Sequence, residues 1–363
     1  METDLRNTDD WGTVVGFLPA NLDKAAKDCG AVKRWREFVN GADLVRTSLV
    51  YGLDDMSLRE TSSWASEFGI ANVSDVAILK RLKRAVPLLR YLCSSLIPPP
   101  VRPIEGLRLV IEDATTICRR RSKGTDFRAH VAYNPATAQF TGLELTRSDQ
   151  GERLDRLECG QGDVLVADMG YQSRKNLGAV RDRGALIVVR FFPTSLPLEA
   201  LDGVRISPFE LAEPLRVGEM LDIPVRTVAS KKAPSIEGRM VVVRKPDEKV
   251  AEGLARKRKE KGKEPGEQAK RAEKYVMVFT TLPQGVADTM DVLEIYRIRW
   301  QVEMSFKRVK GIVSLGETMA RDMDLCECKI LAKLLTLLLI QAYERAFFPW
   351  GYPLSRKQLV SGA

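Results

Sequence analysis

A chain of 363 residues with a single histidine, His130, has little imidazole to work with. Any metal site built on two or more histidines is excluded, and a Ser-His-Asp or Cys-His relay would have to run through that one ring. The six cysteines are scattered, and the closest pair, Cys326 and Cys328, has one residue between them, where a zinc knuckle needs about two to four. They read as reduced, buried thiols. Chemistry therefore falls to carboxylates. Two apolar runs each lead into an aspartate, LRLVIE into Asp113 and DVLVA into Asp168. Ends of apolar strands are where α/β sheets place their sites, although one such aspartate alone is usually a turn former or a helix cap. A third acid, Glu303, lies on a stretch with helical periodicity. At about 100° per residue, Tyr296, Arg299, Glu303 and Lys310 share an arc of about 60°, beside an apolar stripe of Ile295, Ile298, Val302, Phe306 and Val309. On its own this arc also fits an exposed face carrying an ordinary Arg299–Glu303 pair at i, i+4.

The elements that must position these groups follow from the apolar pattern. GLRLVIEDATTI and GDVLVADMGYQ are continuous apolar runs, the mark of buried central strands. Between them, AHVAYNPATAQFTGLELTR holds two alternating runs joined at Asn134-Pro135-Ala136-Thr137, a hairpin. SRKNLGAVRDRG reads as a short helix, and ALIVVRFF and YVMVFTTLP as further strands. The expected fold class is α/β, a mixed sheet flanked by helices. Residues 1–100 read as a helical N-terminal unit in which Ser57-Leu58-Arg59-Glu60 is a capping box. A Pro-rich linker at Pro98–Pro100 and Pro103 separates it from residues 101–192, the first part of the core. Residues 193–274 read as a β-rich insertion ending in an exposed basic arm too polar to pack, and 275–363 as the second part of the core. A final long helix is expected near 325–347. Its apolar run Leu334–Ile340 is far short of the roughly 20 residues that span a bilayer. The N-terminus lacks the features of a secretion signal, which predicts a cytoplasmic protein.

Charge points to a polyanion. The 57 Lys and Arg against 48 Asp and Glu give a net charge of +9, and the excess is clustered. Lys80, Arg81, Lys83 and Arg84 lie on a helix that follows another helix and a turn containing Gly69, an order compatible with a helix-turn-helix reader of DNA. Arg119, Arg120, Arg121 and Lys123 follow the first strand, and RKRKEKGK spans 256–263. Any one such run is usually solvated surface; three together favour a nucleic-acid partner.

The spacing Tyr296, two residues, Arg299, three residues, Glu303, six residues, Lys310 resembles the Y-(2)-R-(3)-E-(6)-K signature of the IS4-type DDE transposases. IEDATTI resembles the family's first-strand segment, with Asp113 as first acid, and VADMGYQS its D-x-G-Y segment, with Asp168, Gly170 and Tyr171 in place. The resemblance covers about residues 105–345 in order. It implies a ribonuclease-H-like core interrupted by the β-rich insertion, with an N-terminal helical domain for DNA. It also implies a site in which Asp113, Asp168 and Glu303 hold two Mg²⁺ ions, with Mn²⁺ as substitute. An all-oxygen donor set suits those hard cations. Tyr296, Arg299, Lys310 and Tyr171 would then lie at the DNA phosphates, double-stranded terminal repeats and target DNA would be the partners, and a homodimer would join two ends. His130, which lies where the family often carries a histidine, reads as a hydrogen-bonded strand residue with a phosphate contact as the alternative. Trp300 suits core packing better than stacking on a base, and Tyr275 lies near where a related transposase stacks an aromatic on a flipped base. A nuclease of the same fold that hydrolyses without strand transfer would use the same groups. A DNA-binding regulator that had lost catalysis would keep the fold, and the intact acids and signature count against it.

Overall fold

Five helices open the chain: α1 (Trp11–Gly16), α2 (Leu22–Asp28), α3 (Gly41–Leu53), α4 (Leu58–Glu67) and α5 (Asp75–Ser95). This is a computed structural model, and it describes residues 11–98, 106–231 and 233–347. Most of the expected Pro-rich linker lies outside those residues. The caps are where the sequence puts them. Ser57 accepts from the Glu60 amide while the Glu60 carboxylate accepts from Ser57 N, and Ser74 caps α5 by accepting from Ala77 N, so amides that a helix start leaves unpaired are satisfied.

Among the described residues the sheet has ten strands. β1 (Arg108–Arg119), β2 (Phe127–Asn134) and β3 (Gln139–Arg147) form an antiparallel meander. β4 (Asp163–Ala167) returns parallel to β1, and after α6 (Arg174–Asp182) β5 (Leu186–Arg190) lies parallel to β4. Then come β6 (Leu198–Glu199), α7 (Pro208–Ala212), β7 (Met220–Thr227), β8 (Glu237–Arg244), α8 (Asp247–Lys261), α9 (Glu267–Glu273) and β9 (Tyr275–Thr280). The helices α10 (Thr289–Ile298) and α11 (Trp300–Val313), the short β10 (Glu317–Thr318) and α12 (Met323–Phe347) complete it. The strand order is β3-β2-β1-β4-β5-β9-β8-β7-β6, with β10 pairing β1 off that path. Along β4 and β5, Val164, Val166 and Val188 face one apolar cluster while Leu165, Ala167, Ile187 and Val189 face the other. Both faces are covered, which is why these strands read as unbroken apolar runs.

The expected insertion is not a separate β unit: β8 pairs β9, and β9 pairs β5, so β6 to β8 extend the same sheet. Nor is its polar tail an arm. It folds as α8 and α9, with Asp247 and Glu248 in the first turn of α8 and Gly262 closing it at φ 64°. Lys245 and Lys257 both pair with the buried Glu273 of α9. Acids at a helix start, a left-handed glycine at its end and charges three or four apart stabilise a helix that has almost no apolar face.

The N-terminal helices share their apolar cluster with α12. Ile78, Leu82, Leu89 and Leu92 of α5 are buried in one cluster with Ile330, Leu331, Leu334 and Leu338 of α12. Gly52 of α3 lies where a Cβ would come within 2.6 Å of Ala332 Cβ, so the crossing of α3 over α12 requires glycine. Charges stitch the same seam: Lys83–Asp322 at 2.6 Å, Arg90–Glu327 at 2.7 Å and Lys329–Asp55 at 3.0 Å.

Candidate active site

β1 has β4 as its neighbour only from Arg108 to Ile111, where Ile111 pairs with Val166, and β10 takes up the same edge only at Cys118 and Arg119. On its other side β2 pairs without interruption from Ile111 to Ile117. The expectation that Asp113 ends its strand is therefore corrected: the strand runs on to Arg119, and Asp113 sits in a gap on one edge. Asp168 directly follows β4. Each aspartate lies two residues past the Ile111–Val166 rung, so parallel pairing brings both to the same level.

The helix that brings the third acid is two pieces instead of the single one expected, with Arg299 at the joint. Arg299 keeps helical angles (φ −51°, ψ −34°), and the turn around it is tightened by Arg299 N→Tyr296 O at 3.1 Å and Val302 N→Arg299 O at 3.2 Å. Tyr296, Arg299 and Glu303 of the polar arc still meet, because Ile298, Val302 and Phe306 remain buried and hold the helices to the sheet.

Tyr296 Oη donates to Asp168 Oδ1 at 3.2 Å. Arg299 Nη2 donates to Glu303 Oε1 at 2.6 Å, and Arg299 Nη1 lies 3.8 Å from Asp113 Oδ2. The guanidinium also stands over the Tyr296 ring, 5.8 Å from its centroid. One arginine and one tyrosine thus tie together three acids from β1, the end of β4 and α11. The Arg299 side chain is 14% exposed and that of Glu303 48%, so the cluster opens to solvent on the Glu303 side. Burial raises the Asp113 carboxyl to about 6; the Ala114 amide and Arg299 pull it back, while Glu303 and Asp168 push it further up. Burial likewise raises the Tyr296 phenol to about 12, with the Asp168 charge adding to it. Burial disfavours the Arg299 charge, yet Tyr296, Asp168 and Glu303 outweigh it and keep the guanidinium protonated above its ordinary range. The donor chemistry, three carboxylates and no sulfur or imidazole, fits a hard divalent cation. Among the described residues no three such groups stand close enough to hold one ion in this arrangement, in which Arg299 and Tyr296 occupy the acids.

The remaining expected residues divide. Tyr171 is buried, its hydroxyl without a hydrogen-bond partner, behind the acids. His130 is 2% exposed and its Nε2 is 2.9 Å from Thr146 Oγ1, with burial, Arg156 and Arg128 lowering its pKa to about 3; this is the strand residue, withdrawn from any phosphate. Tyr275 is buried under the Arg244 guanidinium and cannot receive a flipped base in this arrangement. Trp300, expected in the core, is 50% exposed, in keeping with its place on the helix opposite the apolar stripe of Ile298, Val302 and Phe306. The side chain of Lys310 lies outside the described residues. Arg119 pairs with Asp126 and donates to Arg321 O, whereas Arg121 and Lys123 are exposed. Arg120, also exposed, has Nη1 3.6 Å from Met319 Sδ. In α5, Arg81 donates to Ala31 O and covers Phe38, and Lys83 pairs with Asp322, which leaves Lys80 and Arg84 exposed.

Sequence reasoning missed the support behind Asp168. Glu152, in the connection from β3 to β4, packs its carboxylate into the space a Cβ would need at Gly170, so the glycine of D-x-G-Y accommodates an acid. Glu112, beside Asp113 but on the opposite face of β1, is buried among Asp155, Arg183 and Arg156. A glycine two residues after the aspartate was the one signal that pointed there.

Residues 105–339 match the family described as Transposase DDE domain. The chain is 31% identical to the putative transposase InsL of insertion element IS186A from Escherichia coli K12, over 92% of this chain and 93% of that one. It is also 31% identical, with the same coverage, to the transposase of IS421 from Escherichia coli. It is 20% identical to the transposase of IS231B from Bacillus thuringiensis, over 88% of this chain and 76% of that one. A piggyBac transposase synaptic complex with hairpin DNA is a distant structural likeness, with a TM-score of 0.48 and 9% identity over 98% of this chain and 80% of that one. With a family match across most of its length and full-length relatives that are insertion-element transposases, the chain belongs to the DDE transposases.

Proposed function

We propose that this transposase cuts the ends of an insertion element and joins them to target DNA, with Asp113, Asp168 and Glu303 as the ligands of divalent metal. The convergence of those three acids on Arg299 and Tyr296 carries the reading. The strand order β3-β2-β1-β4-β5 supports a ribonuclease-H-like core. Two Mg²⁺ or Mn²⁺ ions bound there would supply Lewis-acid activation of water or a 3′-hydroxyl and stabilise the leaving oxygen. The chain's own groups do the rest. Tyr296 orients Asp168 by donating to it, Arg299 and Lys310 offset the charge of the phosphates beside the cut, and Glu152 holds the segment around Gly170 in place. The N-terminal helices are assigned to the terminal repeats, with Lys80 and Arg84 free for phosphates, and a dimer brings two ends together.

The test is incubation of the protein with DNA carrying the element's flanking repeats, with and without Mg²⁺. Cleaved ends and joined products that both need Mg²⁺ are expected. Cleavage without joining would leave the nuclease reading, and no cleavage on a verified end sequence would leave the silent regulator.

A further inference from the structure

The charge arrangement at the site is unusual in one respect: three acids share one cation, and that cation belongs to the protein. Arg299 spans Asp113 and Glu303, 3.8 Å from one and 2.6 Å from the other, and its side chain is 14% exposed. It also stacks on Tyr296, whose hydroxyl engages Asp168. While this network holds, no three acids among the described residues are placed to bind one ion. Arg299 therefore occupies the electrostatic position that a metal would take. A guanidinium is equally suited to a phosphodiester, which it binds through the same two-pronged donor geometry it uses on a carboxylate.

From these contacts we infer that Arg299 is an exchange residue that couples metal loading to DNA binding. In the free protein it holds Asp113 and Glu303 together against their mutual repulsion. A backbone phosphate of DNA, reaching the open Glu303 side of the site, draws the guanidinium off the acids, and the vacated carboxylates become available to divalent metal. Each ligand thus strengthens the other, and the coupling must be reciprocal. The benefit is chemical: a loaded two-metal site without substrate invites stray hydrolysis, and this arrangement disfavours it. The inference rests on the assignment of the three acids as metal ligands.

Mn²⁺ binding, followed by electron paramagnetic resonance of the free ion, tests it without any turnover. Wild type, Arg299→Ala and Arg297→Ala are compared, each with and without a duplex oligonucleotide. Arg297 is two residues away and pairs with Glu294 instead of the site acids, so it controls for loss of charge alone. Without DNA, Arg299→Ala should bind Mn²⁺ about tenfold more tightly than wild type, a coupling of ordinary size. Arg297→Ala should stay within about twofold. Duplex should tighten Mn²⁺ binding to wild type by a similar factor and leave the Arg299→Ala affinity unchanged. Equal or weaker Mn²⁺ binding by Arg299→Ala without DNA would overturn the inference, as would an equal gain in Arg297→Ala. Absence of Mn²⁺ binding in all three proteins, with or without DNA, would remove the metal-ligand assignment itself and this inference with it.

Discussion

Two charged clusters in this molecule are built on opposite principles. Along the seam between the N-terminal helices and α12, cations are matched with acids: Lys83 with Asp322, Arg90 with Glu327, Lys329 with Asp55. Lys329 and Lys333 are almost wholly buried there, and Lys329 also sits 4.5 Å from the Tyr51 ring centroid. At the acids of β1, β4 and α11 the balance is broken, with Asp113, Asp168 and Glu303 sharing Arg299. Compensation lowers the cost of the charges buried in the first cluster, where Lys329 and Lys333 share Asp55 and Lys333 also donates to Ser314 O; the second costs stability because it is held short of cations. A transposase that must bind metal and phosphate keeps its site in deficit and places its matched charges elsewhere.

The sharpest break between the clusters is the loss of chemistry without loss of fold. Asp113→Ala, Asp168→Ala and Glu303→Ala should each reduce DNA cleavage by roughly three orders of magnitude or more while melting no lower than wild type and still retarding duplex in a gel. A variant that cut at near the wild-type rate would remove that acid from the site. In the seam the expectation reverses. Asp55→Asn keeps the side-chain shape at a backbone position with φ 50°, which Asn tolerates, but leaves Lys329 and Lys333 without their acid. It should cost about 3 kcal/mol in urea unfolding, and an unchanged midpoint would show that the match is not needed.

The deficit at the site has a pH signature of about 3 kcal/mol. Asp113 is raised in the folded protein to about 6 from 3.8, so the folded state holds a proton that the unfolded chain has already released. Stability contributed by this group is present below pH 4 or so and is lost as pH rises through about 6. Asp113→Asn should therefore melt higher than wild type at pH 8 without metal, and the advantage should vanish toward pH 4. A constant difference across that range would assign the effect to packing instead of charge. The smallest effect concerns a basic residue outside both clusters, with one inside the seam as its control. Arg256 lies on exposed α8 beside Lys249 and Arg297 around a cavity of about 740 Å³. Arg256→Ala should lower the slope of log affinity for duplex against log salt by about 1. Lys83→Ala, already committed to Asp322, should leave the slope alone and lower the melting temperature.

Much of this was legible in the residues because it is local. The Ser57–Glu60 box, the Asn134–Thr137 hairpin, the apolar strands and the final helix are written in neighbouring side chains, and the three acids followed from strand pattern, helical spacing and family signature together. What was not legible depends on partners distant in sequence. Asp113 read as a strand end because periodicity reports burial and cannot show that β4 stops while β2 continues. Residues 256–274 read as an arm because their acids and bases cannot pack in a core; that Lys245 and Lys257 meet a buried Glu273 is settled only by the fold. Tyr275 looked like a DNA contact by approximate spacing and is buried in the core; His130, read as a strand residue with a phosphate contact as the alternative, is buried too. Trp300 looked like core by type and is exposed because it lies on the helix face opposite the apolar stripe.

After β5 the chain builds the far edge of the sheet as β6 to β8 and comes back as β9, which lies side by side with β5. Seen as heredity, that adjacency makes everything between Arg190 and Tyr275 a cassette. Changes in the charge of α8 and α9 can leave the strand that leads to Asp168 in place, whereas β7 and β8 are tied to the start of the helix pair that carries Glu303, through Thr289 to Asp222 and Arg239 to Ala287 O.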